Sequence, residues 1–376
     1  MRARELREPI QADSSAPRQG AVPPDLGGDP GALAAYTDRL LADLSGAMAG
    51  VLCGLGDRLG LFTALAAGPC GSVELAERTG LDERYLREWL HCLSSAGYLS
   101  ADPATGRFEL PGPLALLLAT ESPMNLAGAH ALLLALAGAV DAVTDAMRTG
   151  AGIAADAYPD DLYQAMERMS ASWLDTMLVE QWIPAVPGLA GRLTRGGRAA
   201  DVGCGGGRAL IRLAQGFPSS EFVGVDMRPS AVRRAADAAR TAGVADRVRL
   251  VTGDAAQGLP GPFDLVTVLD MLHDVTDPEA LLRAVRAALA PDGTVLLLES
   301  RSAATPWQNT GPPATILYAT SLLYCLPSSR TGREQGSGTL GMPADRIREL
   351  AGAAGFGRLR EVPVYSPFNA LYELRP

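Results

Sequence analysis

Seven residues, Asp201-Val202-Gly203-Cys204-Gly205-Gly206-Gly207, constrain this chain more than any other stretch, because they join a short apolar run at 198–202 to a helical pattern at 208–215. Glycines let a backbone turn sharply at the end of a strand and approach a ligand where a Cβ would obstruct. A second buried strand is predicted at 221–225, and it ends in Asp226, an acid placed to accept hydrogen bonds from both hydroxyls of a ribose. Together these features predict a nucleotide-type cofactor site, against the alternative of a tight strand-to-helix turn with no ligand. A dinucleotide fingerprint would want a further glycine at position 208 to support a pyrophosphate, and this chain has Arg208 there.

Beyond Gly197 strands and helices alternate. Strands are predicted at 198–202, 221–225, 248–252, 263–269 and 294–299, with helices near 206–215, 229–242 and 278–290. This pattern predicts a parallel, doubly wound sheet. The tail adds a helix at 344–354 and two strand-like pieces at 358–365 and 368–374. Open sheets of this kind bind ligands beyond the carboxyl ends of their strands, so the residues that follow each strand form one surface. On it stand the glycine loop, then Asp226-Met227, then Gly253-Asp254-Ala255, then Asp270-Met271-Leu272-His273-Asp274.

The first part of the chain reads differently. Apolar residues recur at helical spacing over 33–65, with glycines at 46, 50, 54, 56 and 60 that suit closely packed helices. A helix at 72–79, a turn at Gly80 and a helix at 81–90 precede a hairpin whose turn is 102–106 and whose returning strand is 107–110, which sums to a winged helix. Such a unit invites a DNA-binding regulator as the rival reading. Its second helix carries Arg84 and Arg87 but also Glu83 and Glu88, so it offers phosphates no net positive face. Between the two parts, residues 151–195 hold Tyr158, Tyr163, Met166, Met169, Trp173, Met177 and Trp182 at three- and four-residue steps. Either these pack a core, or Met166, Met169 and Trp173 face a substrate cavity that takes an apolar ligand.

At 376 residues, with 47% hydrophobic and 20% charged, the chain can fill more than one core, and two domains are expected. The net charge of -9 argues against nucleic acid or anionic membrane as a general partner and leaves small molecules or proteins. Five scattered cysteines with no CxxC pairing predict reduced thiols in a cytoplasm and no zinc site. Residues 1–30 read as a disordered leader without the apolar core of a signal peptide. The apolar stretch 126–143 contains His130 and Asp141 and reads as a buried helix, not a membrane span.

The acid-x-Gly-x-Gly-x-Gly order at 201–207 resembles the first motif of class I S-adenosylmethionine-dependent methyltransferases. That resemblance implies an α/β fold, a Rossmann-like seven-stranded methyltransferase sheet, with a mainly helical winged-helix N-terminal domain. It implies a dimerisation domain at 31–120, a helical linker and substrate lid at 121–192, and the catalytic domain at 193–376. It also implies S-adenosyl-L-methionine as cofactor, a homodimer, and a small-molecule acceptor. By the same resemblance the cofactor set is Asp201, Gly203, Gly205, Gly207, Asp226, Met227, Asp254, Ala255 and Asp270. Met227 would pack on the adenine face, Asp254 would take its amino group, and Ala255 would offer a backbone amide.

Leu272-His273-Asp274 resembles the Leu-His-Asp stretch of small-molecule O-methyltransferases, in which the histidine is the general base, with Val275 where a tryptophan is common. His273 and Asp274 are therefore the catalytic candidates. No base-orienting carboxylate is plain in the later region, where only Asp345 offers itself. His273 could equally be a buried hydrogen-bonding residue, and His91 and His130 read as packing residues. Residues 321–327, 336–341 and 368–373 resemble a narrower bacterial group of winged-helix methyltransferases, and place Tyr318 and Tyr324 either along the acceptor pocket or in the core. The acceptor atom, oxygen, nitrogen or carbon, stays open, as does a same-fold enzyme that binds the cofactor without transferring methyl.

Overall fold

The computed structural model describes residues 30–119, 124–330, 336–364, 366 and 368–376, so the leader expected over 1–30 lies almost wholly outside the described residues. The chain divides into residues 1–48 and 49–376. In the first unit the described residues are the start of the helix Pro30–Arg58, with Leu33, Tyr36, Leu40, Leu41, Leu44 and Met48 exposed. Over residues 31–58 this helix is long and apolar enough to cross a bilayer by length and composition alone.

The second unit opens with its own small core. Helices Leu61–Ala66, Ser72–Thr79 and Glu83–Ser95 pack Leu61, Phe62, Leu65, Leu75, Leu86, Trp89, Leu90 and Leu93 together, and strands β1 (Ser100–Asp102) and β2 (Arg107–Glu109) pair antiparallel behind them. Asp82 caps the third of these helices by accepting from the amides of Arg84 and Tyr85. Gly56 is required because a Cβ there would lie 2.5 Å from the Trp89 ring, whose Nε1 donates to the carbonyl of Leu52 at 2.9 Å. This is the winged helix the sequence predicts. Arg84 pairs with Glu88 and Arg87 with Glu83, so the basic residues of its second helix are engaged within that helix.

A helical bridge follows. The single helix expected over 126–143 is two, Ala127–Ala137 and Val140–Thr149, bent by 56° at the break. Gly138 ends the first of them with no side chain to hold the turn. The helix Asp160–Met177 then passes Gly128 so closely that a Cβ on that glycine would meet the Met169 backbone at 2.6 Å. Its Arg168 forks onto Asp57 at 2.6 and 2.7 Å.

The main sheet has seven strands: β3 (Arg198–Val202), β4 (Glu221–Asp226), β5 (Val248–Thr252), β6 (Phe263–Leu269), β7 (Leu289–Ser300), β8 (Arg358–Val362) and β9 (Asn369–Arg375). Their spatial order is β5-β4-β3-β6-β7-β9-β8, parallel except for β9, which runs antiparallel to β7 and to β8. Helices cover both faces, which is why the central strands are continuous apolar runs instead of alternating ones. Val266, Val268, Val295 and Leu297 face one core with Leu281, Leu282, Ile347 and Leu350, while Leu265, Leu296 and Leu298 face the other with Leu189, Leu210 and Leu213. Chain order reverses between β3 and β6, the position at which open sheets of this kind bind ligands beyond their strand ends.

Two details depart from the sequence reading. The helix after the glycine loop starts at Arg208 instead of 206, because Gly207 has φ 79°, outside helical backbone. Two stretches, Leu178–Trp182 and Ser321–Cys325, wind as π-helix, a form the sequence did not signal and one that often marks functional sites.

Gly224, in the middle of β4, tests the packing. An added Cβ would lie 2.4 Å from Leu210 Cδ1, 2.8 Å from Leu250 Cδ2 and 2.9 Å from Cys204 Sγ. Gly224→Ala is expected to cost about 1–3 kcal/mol of unfolding free energy in urea denaturation, since two rotamers and a thiol must yield together; an unchanged midpoint would show that the interface between β4 and its helix is loosely packed.

Candidate active site

The glycine loop turns as the sequence requires. Gly203, Gly205 and Gly207 have φ 71°, 51° and 79°, backbone that a side chain disfavours. The loop is enclosed as well as bent. A Cβ on Gly203 would come within 3.0 Å of the Met271 side chain, one on Gly207 within 2.9 Å of Ala235, and one on Gly206 within 2.6 Å of Glu167 Oε2. Asp226 ends β4 and is 8% exposed. Its Oδ2 accepts from the Gly205 amide and its Oδ1 from the Arg228 amide, both at 2.9 Å, so strand end and loop are pinned by one carboxylate. Arg228 stacks its guanidinium 3.4 Å from the centre of the Tyr163 ring.

The other strand ends supply the rest of this edge. Asp201 is buried below the loop, where Thr267 donates to its Oδ1 at 2.6 Å, and burial pushes its carboxyl up to about 7. Met227 stands 68% exposed beside Asp226. Asp254 accepts from the Ala256 amide at 2.9 Å and starts the short turn in which Ala255 is buried. Asp270 follows β6 with φ 57°, a strained value for a residue with a side chain. Its Oδ1 accepts from Ser300 at 3.3 Å and Asn369 at 3.2 Å, and burial raises it to about 6, with the His273 charge working against the rise.

His273 is 2% exposed in the turn Leu272–Asp274. Its Nδ1 lies 2.6 Å from Glu299 Oε2, while Oε1 of the same carboxylate accepts the amides of Leu272 at 2.8 Å and His273 at 3.3 Å. Glu299 is fully buried near the end of β7, and the tautomer in which Nδ1 donates to its carboxylate oxygen makes Nε2 the nitrogen that gains or loses a hydrogen. Nε2 lies 3.4 Å from Asp274 Oδ1, and Cys325 closes the same corner, its thiol atom and those of His273 and Asp274 lying within 4.8 Å of one another. Burial alone would lower the imidazole pKa, but Glu299 and then Asp274 outweigh it and hold it well above 6.5. Burial pushes the Cys325 thiol up to about 12.

Glu299 is the orienting carboxylate that the sequence reading sought further along the chain. Asp345 is 82% exposed and pairs with Arg348 on its own helix. The signal was a charged residue closing the apolar run 295–298, at the same sheet edge as the other acids. Met166 and Met169 pack with Tyr158, Tyr163, Tyr324 and Cys325 in one apolar and aromatic cluster beside His273. Trp173 goes elsewhere, tilted against Trp182 at 5.5 Å in the core under the sheet. Tyr318 is 41% exposed and donates to the carbonyl of Pro306 at 3.2 Å. Glu167 and Cys325 were not read from the sequence, because only the packing of their helices brings them to this edge.

Residues 200–295 match a family described as "Methyltransferase domain", and residues 47–120 match an "Rv2258c-like winged HTH domain". Acetylserotonin O-methyltransferase of Mus musculus is 32% identical over 369 residues, covering 90% of this chain and 88% of that protein. The chain belongs to the class I S-adenosylmethionine-dependent methyltransferases with an N-terminal winged helix. Among solved structures, the mitomycin 7-O-methyltransferase MmcR is similar in fold at TM-score 0.66, 21% identity and coverage of 93% of this chain and 100% of that one. Human N-acetylserotonin methyltransferase in complex with SAM is similar at TM-score 0.62, 20% identity and coverage of 90% and 97%.

The residues of this methyltransferase fit its cofactor. S-adenosylmethionine carries no phosphate, and the loop ends at Gly207 and Arg208 with no further glycine to admit one. The positive-φ backbone of the glycine loop, which keeps side chains off the cofactor side of the β3 end, and the acids at the ends of β4, β5 and β6 supply a place for the methionine end and acceptors for the ribose and the adenine amino group.

Asp201 gives a pH test. A carboxyl raised from 3.8 to about 7 favours its protonated form in the fold, so the stability it contributes is present at low pH and lost as pH rises from about 4 to about 7. Asp201→Asn keeps an acceptor for Thr267 and removes that loss. The variant is expected to gain roughly 1–3 kcal/mol relative to the parent between pH 4 and pH 7.5, read by thermal or urea unfolding; equal pH slopes for the two proteins would count against a buried, proton-retaining Asp201.

Proposed function

We propose that this methyltransferase transfers the methyl group of S-adenosylmethionine to a hydroxyl of a small, largely apolar acceptor, in secondary metabolism. One observation carries the reading: Glu299 holds Nδ1 of His273 at 2.6 Å, which leaves Nε2 as a positioned base at the edge of an apolar, aromatic cluster. Mouse and mitomycin relatives bear O-methyltransferase in their names, and CalO1, another similar fold at TM-score 0.62, is described as a methyltransferase in calicheamicin biosynthesis.

The cofactor, when bound, supplies an electrophilic methyl carbon on a positively charged sulfur. Everything else falls to the chain. Asp226 accepts from the ribose hydroxyls, Asp254 from the adenine amino group, and the glycine loop admits the methionine end. His273 takes the hydroxyl proton on Nε2, and Asp274, 3.4 Å from that nitrogen, favours the imidazolium that results. Met166, Met169, Tyr163 and Tyr324 exclude water and fit the acceptor by shape, which leaves in-line positioning as the main source of rate. The protein acts in the cytoplasm with its five cysteines free, and it works as a homodimer. The exposed row Leu33, Tyr36, Leu40, Leu41 and Leu44 supports that assembly as a face for a second copy.

Asp226→Ala is expected to weaken cofactor binding by at least about tenfold in calorimetry, each charge-assisted hydrogen bond being worth roughly 1.5–3 kcal/mol. Asp226→Asn, which keeps an acceptor for the Gly205 amide, separates loss of ribose contacts from loss of the loop. His273→Ala is expected to lower kcat by about 10²–10⁴-fold with cofactor affinity retained. Mass analysis of phenolic acceptors after turnover decides the reaction. An added methyl on oxygen supports it, whereas product without added methyl, or normal turnover by His273→Ala, removes the proposed base.

A further inference from the structure

Three carboxylates surround one buried imidazole. Asp270 and Asp274 come from the loop that carries His273, and Glu299 comes from β7; side-chain atoms of Asp270, His273 and Glu299 lie within 4.8 Å of one another, as do those of His273, Asp274 and Cys325. The remaining groups that face the cluster add no positive charge. Ser300 and Asn369 give Asp270 neutral hydrogen bonds, Cys325 and Tyr324 close it from the π-helical turn, and Tyr163 closes it from the helix Asp160–Met177. Among the described residues no arginine forms an ion pair with Asp270, Asp274 or Glu299, and the nearby Arg228 is held by Asp226 and the Tyr163 ring. Oδ1 of Asp274 is buried without a hydrogen bond. Glu299 is fully buried and Asp270 and Asp274 are partly so, and acids gathered this closely away from bulk water are costly unless a cation joins them.

The cluster also shares a wall with the glycine loop, since Met271, two residues before His273, is what a Cβ on Gly203 would strike at 3.0 Å. The turn that carries the acids thus packs directly on the glycine loop that receives the methionine end of the cofactor. That cofactor differs from its demethylated product in one respect that matters here: its sulfur carries a positive charge.

We propose that His273 is protonated on Nε2 in the free protein, as the resident counter-ion of Asp270, Asp274 and Glu299, and that it surrenders this proton to solvent when a sulfonium cation is bound beside it. The proposal rests on the methyltransferase reading above. It makes the base available only in the loaded site, so a hydroxyl cannot be deprotonated before a methyl donor is present. The balance is simple: one N–H bond at Nε2 is broken, the proton goes to water, Nδ1 keeps its hydrogen toward Glu299, and nothing is oxidised or reduced. A cation entering a poorly solvated acid cluster lowers the proton affinity of a cation already there, and a neutral thioether does not.

Two ligands of nearly the same shape test this, S-adenosylmethionine and S-adenosylhomocysteine, with the full-length protein. Calorimetry at pH 7 in buffers of different ionisation enthalpy is expected to report release of up to about one proton per chain with the sulfonium ligand and little with the thioether. His273→Gln should abolish that difference. Because the chain has three histidines, ring-labelled histidine NMR reads His273 directly, whether or not the variant folds: imidazolium in the free and thioether-bound protein, neutral with the sulfonium. The proposal is overturned if His273 has the same charge with both ligands, if it is already neutral when free, or if the difference in proton release survives in His273→Gln. Failure of both ligands to bind would instead overturn the cofactor reading, and this proposal with it.

Discussion

A parallel sheet buried on both faces leaves its polar side chains few places to go. Here the interiors of the central strands are mostly apolar on both sides, with Asp201 and Thr267 paired to each other, and further acids gather near the carboxyl ends, where Asp226, Asp254, Asp270 and Glu299 share one edge. The strand order reverses between β3 and β6 at that edge, the position at which open sheets of this kind bind their ligands. The chemistry of the protein is assembled there because the packing of the sheet excludes it from elsewhere.

Two carboxylates organise the edge by accepting backbone amides. Asp226 takes those of Gly205 and Arg228 and so ties the glycine loop to β4. Glu299 takes those of Leu272 and His273 and so ties the histidine turn to β7, while its second oxygen holds the imidazole. Each acid thereby fixes a loop and faces a functional group at once. Glycine at 203 lets the two loops meet, with Met271 filling the space that a side chain would take.

The cluster beside His273 is built from different material. Tyr158, Tyr163 and Tyr324 pack edge-on with ring centres 5.1 to 5.8 Å apart, and Met166 and Met169 fill the gaps between them. Helices distant in sequence supply these residues, which couples the bridge region to the π-helical turn at Ser321–Cys325. An apolar wall around a charged cluster raises the cost of every unpaired charge inside it, which is the physical setting in which a single proton on His273 matters.

Much of this was legible in the residues alone. The strand and helix pattern, the winged helix, the glycine loop, Asp226 and the family all follow from local signals, since glycine conformation, turn chemistry and apolar periodicity act over a few residues. His273 was legible as a candidate because it follows a strand end. What the chain's order did not disclose was its surroundings. Glu299 stands 26 positions away and reaches His273 only because β6 and β7 are neighbours, and Cys325 only because a later turn folds over both. Trp173 and Trp182 shared a helical pattern with Met166 and Met169, yet packing sent them to another core. Local sequence determined which elements form and which of their ends carry acids; tertiary structure decided which of those acids meet one imidazole, because electrostatic pairing depends on distances through space that no spacing along the chain specifies.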